Sequence, residues 1–223
     1  MDFGPDNYYK CPSCKKMVSQ GTFSQNNFGS TLYSDGCESG VSLVDSPEVT
    51  KCKNCKTIFW LNAKSFAGQG EMYIKEPQFK DAVPASLLTF NEIKKAIKDD
   101  LFSNEKEEKH LRNCLWLCFN DRIRTGKSGL FTNKTDEKLY MQNCLRLIEL
   151  FNKNYIEEMF LTAELCRNIK DFTGCKTLLN AIPVIFRDED NNFYKVMSKL
   201  ILRECKKKNP FVIMIKDRGR LLG

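Results

Sequence analysis

The spacing of hydrophobic positions differs between the two halves of the chain. In residues 1–61, apolar residues occur in short runs separated by glycines, and residues 57–61 (TIFWL) are β-branched and aromatic, as is typical of a strand. Asp35 and Gly36 lie near the centre of residues 32–43 and tolerate a tight turn, so this segment is predicted to form a hairpin or loop. The N-terminal part is therefore predicted to be a small β module.

From about residue 88, the hydrophobic positions follow the period of an α-helix. Thr89 and Glu92 have the spacing of a capping box, which predicts the start of a helix. Next, a set of apolar positions recurs at intervals of three and four residues, as on one helical face. These are Leu111, Cys114, Leu115, Cys118 and Phe119. Later helices are predicted near 136–152, 154–169, 173–182 and 190–208.

Residues 62–87 follow neither period and contain Gly68, Gly70, Pro77 and Pro84, so they are predicted to connect the two parts. The expected organisation is a β module at 1–61, a connecting segment at 62–87 and a helical domain at 88–223. The predicted fold class is α+β.

The overall composition is typical of a folded protein outside the membrane. Of 223 residues, 42% are hydrophobic and 28% are charged, which disfavours disorder. The first residues lack the basic region and apolar run of a secretory signal. Residues 211–215, among the longest apolar runs, are too short to cross a bilayer. We therefore expect a cytoplasmic protein with no membrane partner.

Four of the eleven cysteines form two C-x-x-C pairs, Cys11 with Cys14 and Cys52 with Cys55. The short spacing lets both sulfurs of a pair face one ion, and two pairs supply a closed set of four ligands. In a cytosolic chain such cysteines favour a metal site over disulfides. We expect one structural Zn²⁺ per chain, with iron in a rubredoxin-like site as the alternative. Cys37 is interpreted as a loop thiol, because four ligands already suffice.

Free or redox-active cysteines are another interpretation of the two pairs. No helix pattern directly follows either pair, which disfavours a thioredoxin-like motif. Lys15 and Lys56 follow the second cysteine of each pair, where many zinc knuckles have glycine. A left-handed backbone at these lysines would cost about 1–2 kcal/mol each.

Residues 26–36 (NNFGSTLYSDG) and 50–61 (TKCKNCKTIFWL) resemble a family of uncharacterised bacterial proteins, common in Bacteroidetes-type genomes. That family joins an N-terminal zinc ribbon to a helical, tetratricopeptide-like region. The resemblance implies zinc on Cys11, Cys14, Cys52 and Cys55 and implies no activity. Residues 159–183 also resemble one tetratricopeptide hairpin, with Asp171 at the turn and Lys170 in place of the usual glycine.

Two motifs with possible catalytic chemistry do not support an enzyme. Residues 125–129 (TGKSG) are similar to the end of a phosphate-binding loop, but Asp121 stands where that motif requires its first glycine. His110 is the single histidine, and its neighbour Cys114 lies on the apolar helical face, where cysteine usually acts as a small hydrophobe. No catalytic residue is predicted, and we expect a non-enzymatic protein.

The charge of the chain changes the prediction of its partners only slightly. A Zn²⁺ ion with four thiolates would carry a net charge of −2 and lower the formal charge from +7 to about +5. This mild excess of positive charge is smaller than that of a dedicated nucleic-acid binder.

The predicted function is a zinc-stabilised scaffold that binds an unidentified protein partner. The alternatives are a rubredoxin-like redox carrier and a zinc ribbon that binds nucleic acid through the lysines and aromatic residues near its cysteines.

Overall fold

The computed structural model describes residues 2–24, 30–40, 46–70, 76–185 and 192–217. In these ranges the fold is mixed, with six α-helices and eleven short strands in four small sheets. The strands are β1 Asp2–Phe3, β2 Asn7–Lys10, β3 Met17–Gln20, β4 Phe23–Ser24, β5 Thr31–Tyr33, β6 Glu38–Ser39, β7 Val49–Lys51, β8 Ile58–Trp60, β9 Phe66–Gln69, β10 Val83–Pro84 and β11 Met214–Asp217. The helices are α1 Phe90–Lys98, α2 Glu105–Arg124, α3 Lys134–Leu150, α4 Ile156–Asn168, α5 Phe172–Ile185 and α6 Asn192–Lys206.

The chain divides into two compact units that are not continuous in sequence. Residues 1–30 and 40–101 form the first, which we call the cysteine unit. Residues 31–39 and 102–223 form the second, the helical unit. Across the described ranges, no helix combines the length and apolar character needed to cross a membrane.

The main sheet of the cysteine unit has the strand order β10-β3-β2-β9. Strand β2 is antiparallel to both β3 and β9, and β10 runs parallel to β3. Two smaller antiparallel pairs, β1 with β4 and β7 with β8, complete the strands of this unit. The predicted strand at 57–61 corresponds to β8.

The segment predicted to connect the two halves, 62–87, contributes described residues to this sheet. It contributes β9 and β10, one at each edge, and a 3₁₀ turn at Pro77–Phe79. The ring of Phe79 is buried and stacks on Tyr8, with ring centroids 3.8 Å apart. Gly68 has φ +146°, and a Cβ there would lie 3.2 Å from the Phe79 ring, so the glycine allows this close approach. Pro84 takes an edge position, where a missing N–H is tolerated.

Helix α1 belongs to the cysteine unit rather than to the helical unit, which differs from the predicted boundary at residue 88. The predicted capping box is present, with the Thr89 N–H donating to Glu92 at 2.8 Å. The Glu92 carboxylate also pairs with Lys51 at the end of β7. After the helix, the Leu101 carbonyl accepts a hydrogen bond from the Trp60 indole N–H at 2.7 Å. Both ends of α1 are therefore tied to the strands of the second cysteine pair.

The hairpin between the two cysteine pairs, β5 with β6, belongs to the helical unit. Its turn is the one predicted at Asp35–Gly36, and Gly36 has φ +78°. Strand β5 also pairs antiparallel with β11, which lies near the other end of the sequence. Leu32 is buried in the helical core, and the Ser34 hydroxyl donates to Glu164 at 2.7 Å. The sequence analysis assigned this hairpin to the N-terminal module. The residues that it contacts lie more than a hundred positions away, so no local pattern indicates them.

The helical unit buries the apolar face that the sequence predicted on α2. Leu111, Leu115 and Phe119 are almost fully buried, whereas Cys114 and Cys118 are half-buried at its margin. Asn104 and Asn133 cap α2 and α3, each accepting a backbone hydrogen bond at 2.9 Å. The main core cluster joins Leu32 to α4, α5 and α6. It includes Ile156, Met159, Phe160, Ala163, Cys175, Leu179, Ile182, Met197, Ile201 and Cys205.

Candidate metal centre

The four cysteines of the two C-x-x-C pairs converge at one point in the cysteine unit. Their Sγ atoms all lie within 4.8 Å of one another. Sulfurs of different pairs are in close contact, since Cys11 is 3.6 Å from Cys55 and Cys14 is 3.6 Å from Cys52. Four sulfurs at the Zn–S distance of about 2.3 Å from a common centre would be about 3.8 Å apart. The cluster is therefore close to the geometry of a tetrahedral four-sulfur site.

Two turns with the same hydrogen-bond pattern hold these sulfurs. In the turn between β2 and β3, the Cys11 N–H donates to Lys16 O at 2.9 Å and the Lys15 N–H donates to Cys11 O at 3.0 Å. In the turn between β7 and β8, the equivalent bonds join Cys52 to Thr57 and Lys56 to Cys52, both at 2.9 Å. The repeated K-C-x-x-C-K sequence thus produces a repeated local structure.

Lysine occupies the left-handed position of each turn. Lys15 has φ 63° and Lys56 has φ 65°. Each ammonium group folds back over its own turn and donates at 2.7 Å to a backbone carbonyl, that of Pro12 or Lys53. Both positive charges are thereby held beside the cysteines, where they would offset part of the negative charge of a metal–thiolate site.

The cluster is buried on one side and accessible on the other. Cys11 and Cys52 are 0% and 2% exposed, while Cys14 and Cys55 are half-buried. The buried side packs on an apolar group of Tyr9, Val18, Phe59, Leu61 and Ala85. This packing fixes the two first cysteines of the pairs and leaves the two second cysteines nearer to solvent.

Hydrogen bonds to the more exposed sulfurs favour the thiolate that a metal requires. The Thr57 hydroxyl and backbone N–H lower the pKa of Cys55 to about 5. The Lys16 backbone N–H and the Asn54 side chain lower the pKa of Cys14. Burial has the opposite effect on Cys11 and raises its pKa to about 11. A bound cation would remove this last proton, because ligation and deprotonation are coupled.

Thr57 and Asn54 are contributors that the sequence interpretation did not identify. Thr57 lies only two residues after Cys55, and its Oγ1 is 3.3 Å from that sulfur. A hydroxyl at this spacing is a signal that could have been recognised beside the second pair. Among the groups near the Cys55 sulfur, the Thr57 hydroxyl has the largest effect on its pKa.

The remaining candidate ligands lie in the other unit. Cys37 is on the hairpin of the helical unit, where its thiol is 3.8 Å from the Glu38 carbonyl. His110 is on α2, with its Nε2 atom 3.5 Å from Cys114. In the described ranges, Cys11, Cys14, Cys52 and Cys55 form the one group of three or more Cys, His, Asp or Glu side chains placed to share an ion. Such a group could hold a metal ion, and its sulfur donors suit zinc and iron alike.

Comparison with known proteins returned no relative: no family model, no curated protein and no solved structure matches the chain. The function is therefore inferred from the geometry of the molecule itself.

Proposed function

We propose that the four cysteines hold one structural Zn²⁺ and that the chain is a non-enzymatic scaffold for protein interaction. The observation that carries the metal assignment is the closed four-sulfur set, which would leave a tetrahedral ion no open position for a substrate. Zinc is the ion that most often occupies such structural sites. An iron site of the same ligands would make the protein a rubredoxin-like redox carrier instead.

Metal content tests the first part of this proposal. Protein purified without added metal should contain nearly one zinc per chain and little iron, and it should lack visible colour. A Cys11→Ser/Cys52→Ser double variant should lose the zinc, whereas Cys37→Ser, which removes a thiol from the other unit, should retain it. Equimolar iron would favour the redox carrier, and zinc retained by the double variant would contradict the ligand assignment.

The proposed protein contact lies on the helical unit, which exposes several large apolar side chains. Large apolar side chains that are exposed on one unit are candidates for a binding surface. The candidates are Leu145, Tyr155, Val196, Phe211 and Met214, which are 41 to 60% exposed. The tetratricopeptide-like arrangement of α4 and α5 remains part of this proposal. Its support is the tight connection at Lys170, with φ 70°, and the fully buried Ala163 and Cys175 on the two helices.

A charge-substitution experiment tests the interaction surface. Partner proteins captured by the wild type should be lost from a Leu145→Lys/Val196→Lys variant, because a charge at a contact surface opposes desolvation. Gln142→Lys/Thr177→Lys is the matched control, since it adds the same two charges at exposed polar positions of α3 and α5. Equal capture by all three proteins would remove these side chains from the proposed surface. An experimental structure in which α4 and α5 do not pack antiparallel would contradict the tetratricopeptide-like arrangement.

A second candidate function, binding of single-stranded nucleic acid, is favoured by the lysines around the metal centre. Lys10, Lys16, Lys53 and Lys64 are exposed, and none pairs with a carboxylate among the residues that the structure describes. Phe66 on β9 is 50% exposed and would offer a ring for base stacking. Lys10, Lys16 and Lys53 lie in one region because the two cysteine turns converge, and Lys64 is next to Ser65, whose carbonyl accepts from the Lys10 N–H at 2.7 Å.

Salt-dependent binding distinguishes this candidate from protein interaction. If it is correct, a labelled single-stranded oligonucleotide should bind with an affinity that falls as salt rises. A Lys16→Ala/Lys53→Ala variant should bind more weakly and with a shallower salt dependence. A Lys134→Ala/Lys138→Ala variant, which loses two exposed lysines of α3, should bind like the wild type. Binding that is weak, or equally affected by both variants, would eliminate this function.

A further inference from the structure

Two buried cysteines lie in direct contact within the core of the helical unit. Cys175 is on α5 and Cys205 is on α6, and they are 0% and 2% exposed. Their Sγ atoms are 3.3 Å apart, with the Cys205 thiol donating to Cys175. The two sulfurs therefore form a contact between helices that are otherwise joined by apolar packing.

We propose that Cys175 and Cys205 form a redox site, at which a hydroperoxide produces a disulfide that links α5 to α6. A disulfide bond is about 2.05 Å long, so the sulfurs need to approach by about 1.2 Å. Both cysteines belong to the helical unit, so this site is distinct from the metal centre and does not rest on the proposed zinc function.

The reaction consumes one hydroperoxide and no other reagent. One cysteine sulfur attacks the terminal peroxide oxygen, the O–O bond breaks, and an alcohol (or water, from hydrogen peroxide) leaves behind a sulfenic acid. The second sulfur then attacks the first, the S–O bond breaks, and the hydroxyl leaves as water with the second thiol proton. The two thiols lose two electrons and two protons in total, and the peroxide gains them.

The surroundings of the pair set the rate of this reaction. Burial raises the pKa of Cys175 well above its usual value, so the reactive thiolate is scarce. The guanidinium of Arg167, which is fully buried on α4, acts in the opposite direction and favours the thiolate. We therefore expect slow oxidation that follows prolonged exposure to peroxide, rather than the rapid response of an exposed sensor thiol.

The other buried cysteines of the helical unit provide an internal comparison. Cys144 and Cys166 are 0% and 7% exposed, and neither thiol is hydrogen-bonded to another sulfur among the described residues. Without a sulfur in contact, we expect their oxidation to stop at sulfur–oxygen products. The contact between two sulfurs thus distinguishes Cys175 and Cys205 from other buried thiols of the same unit, which are expected to form no disulfide.

Peptide mapping of the protein as purified, with any bound metal retained, tests the proposal. After treatment with hydrogen peroxide, remaining thiols are alkylated under denaturing conditions, and the protein is digested without reduction. We expect a linked peptide pair joining residues 175 and 205. The midpoint of thermal unfolding, followed by helical circular dichroism, should rise by about 5–10 °C and return after dithiothreitol.

Two variants separate this disulfide from oxidation elsewhere. Cys205→Ala should show neither the linked peptide nor the rise in midpoint, whereas the matched core variant Cys144→Ala should show both. Zinc release is recorded in parallel and should be equal in the two variants, since both retain the metal ligands. Recovery of Cys175 and Cys205 in separate peptides after the other thiols are oxidised would overturn the proposal. A rise in midpoint that persists in Cys205→Ala would also overturn it.

Discussion

At the scale of single residues, lysine stands where the backbone of both cysteine turns is left-handed. A left-handed conformation costs a residue with a side chain about 1–2 kcal/mol relative to glycine. The hydrogen bond from each ammonium group to a turn carbonyl recovers part of that cost, but Lys15 is exposed and such a bond contributes little in water. The two lysines therefore lower the stability of their turns, while their charge lies beside the cysteines.

We predict that Lys15→Gly raises the free energy of unfolding of the metal-loaded protein by about 0.5–1 kcal/mol, because glycine removes the strain at φ 63°. Urea denaturation measures the change. Lys16→Gly is the control, since its neighbouring position lacks a positive φ and should be destabilised by the same substitution. A Lys15→Gly protein no more stable than Lys15→Ala would show that the turn is not strained.

A second prediction at this scale concerns the ion pair of Glu164 and Arg167, both 0% exposed. Arg167 also donates to the Asn209 carbonyl at 2.6 Å. Arg167→Met should destabilise the protein by about 3–5 kcal/mol, because it leaves a buried carboxylate without its cation. Chemical denaturation measures the loss.

The matched substitution Arg203→Met removes an exposed arginine that pairs with Glu204, a carboxylate that Lys207 and Asn209 also contact. The Arg203 side chain is 61% exposed, so its loss should change stability by less than about 1 kcal/mol. Similar losses in the two variants would mean that burial does not determine the contribution of these ion pairs.

At the scale of elements, one carboxylate ties α2 to α3. Glu108 on α2 accepts hydrogen bonds from Arg146 on α3 at 2.8 and 2.9 Å and from Arg112 at 2.7 Å. These two arginines lower the pKa of Glu108 to about 2. Because the pKa is lower in the folded state than its usual value of about 4.3, the stabilisation is present at neutral pH. It is lost as the pH falls through the range from about 4 to about 2.

We therefore predict that the difference in unfolding free energy between the wild type and Glu108→Gln is largest near pH 7 and decreases toward pH 3. Glu149→Gln serves as the control, because Glu149 also pairs with Arg146 but is 65% exposed. Acid releases metal from all three proteins alike, so only the differences between them are compared. A difference for Glu108→Gln that does not change with pH would contradict the assigned pKa.

The elements that could be predicted from the sequence are those defined by local signals. Thr89 and Glu92 specified the start of α1, and Asp35 with Gly36 specified a turn. The four cysteines could be identified from spacing alone, although their convergence depends on pairing between distant strands. Strands β9 and β10 escaped prediction because four- and two-residue strands rich in glycine and proline carry almost no periodic signal. Their positions depend on tertiary contacts such as the stacking of Phe79 on Tyr8.

The contact of Cys175 and Cys205 illustrates the same limit within the helical unit. Each lies on an apolar helical face, where cysteine is expected to act as a small hydrophobe. Their proximity depends on how α5 packs against α6, and periodicity within a single helix carries no information about this. Sequence patterns therefore contained no signal of the contact between these two thiols.

At the scale of the whole molecule, the effect of metal removal can be predicted for each of the two units separately. The first predicted boundary assigned residues 1–61 to the metal-dependent module, but residues 31–39 belong to the helical unit. A small unit with a four-cysteine site relies on metal for its folding free energy. We predict that a strong chelator unfolds the cysteine unit, including α1, and leaves most of the helical circular dichroism intact.

Hydrogen exchange gives this prediction residue resolution. The amides of Cys11 and Cys52 should lose protection after chelation. Those of Tyr33 and Ser34, which donate to Cys37 O and Ile213 O, both at 2.9 Å, should remain protected although they lie between the cysteine pairs in sequence. Loss of protection at all four amides together would show that the two units unfold as one.

Because each unit is built from two separate segments of the sequence, some of its parts are synthesised at the ribosome well before their partners. All the described strands of the cysteine unit, and α1, have been translated by residue 101, whereas β5 finds its partner β11 only at residues 214–217. At about 5–20 residues per second, this leaves an interval of roughly 6 to 23 s. Throughout that time, the edge of β5 that later pairs with β11 is unpaired in the nascent chain. Leu32 also waits for the residues of α4, α5 and α6 that bury it. A chaperone that shields strand edges during translation would therefore be needed longest at the segment between the two cysteine pairs.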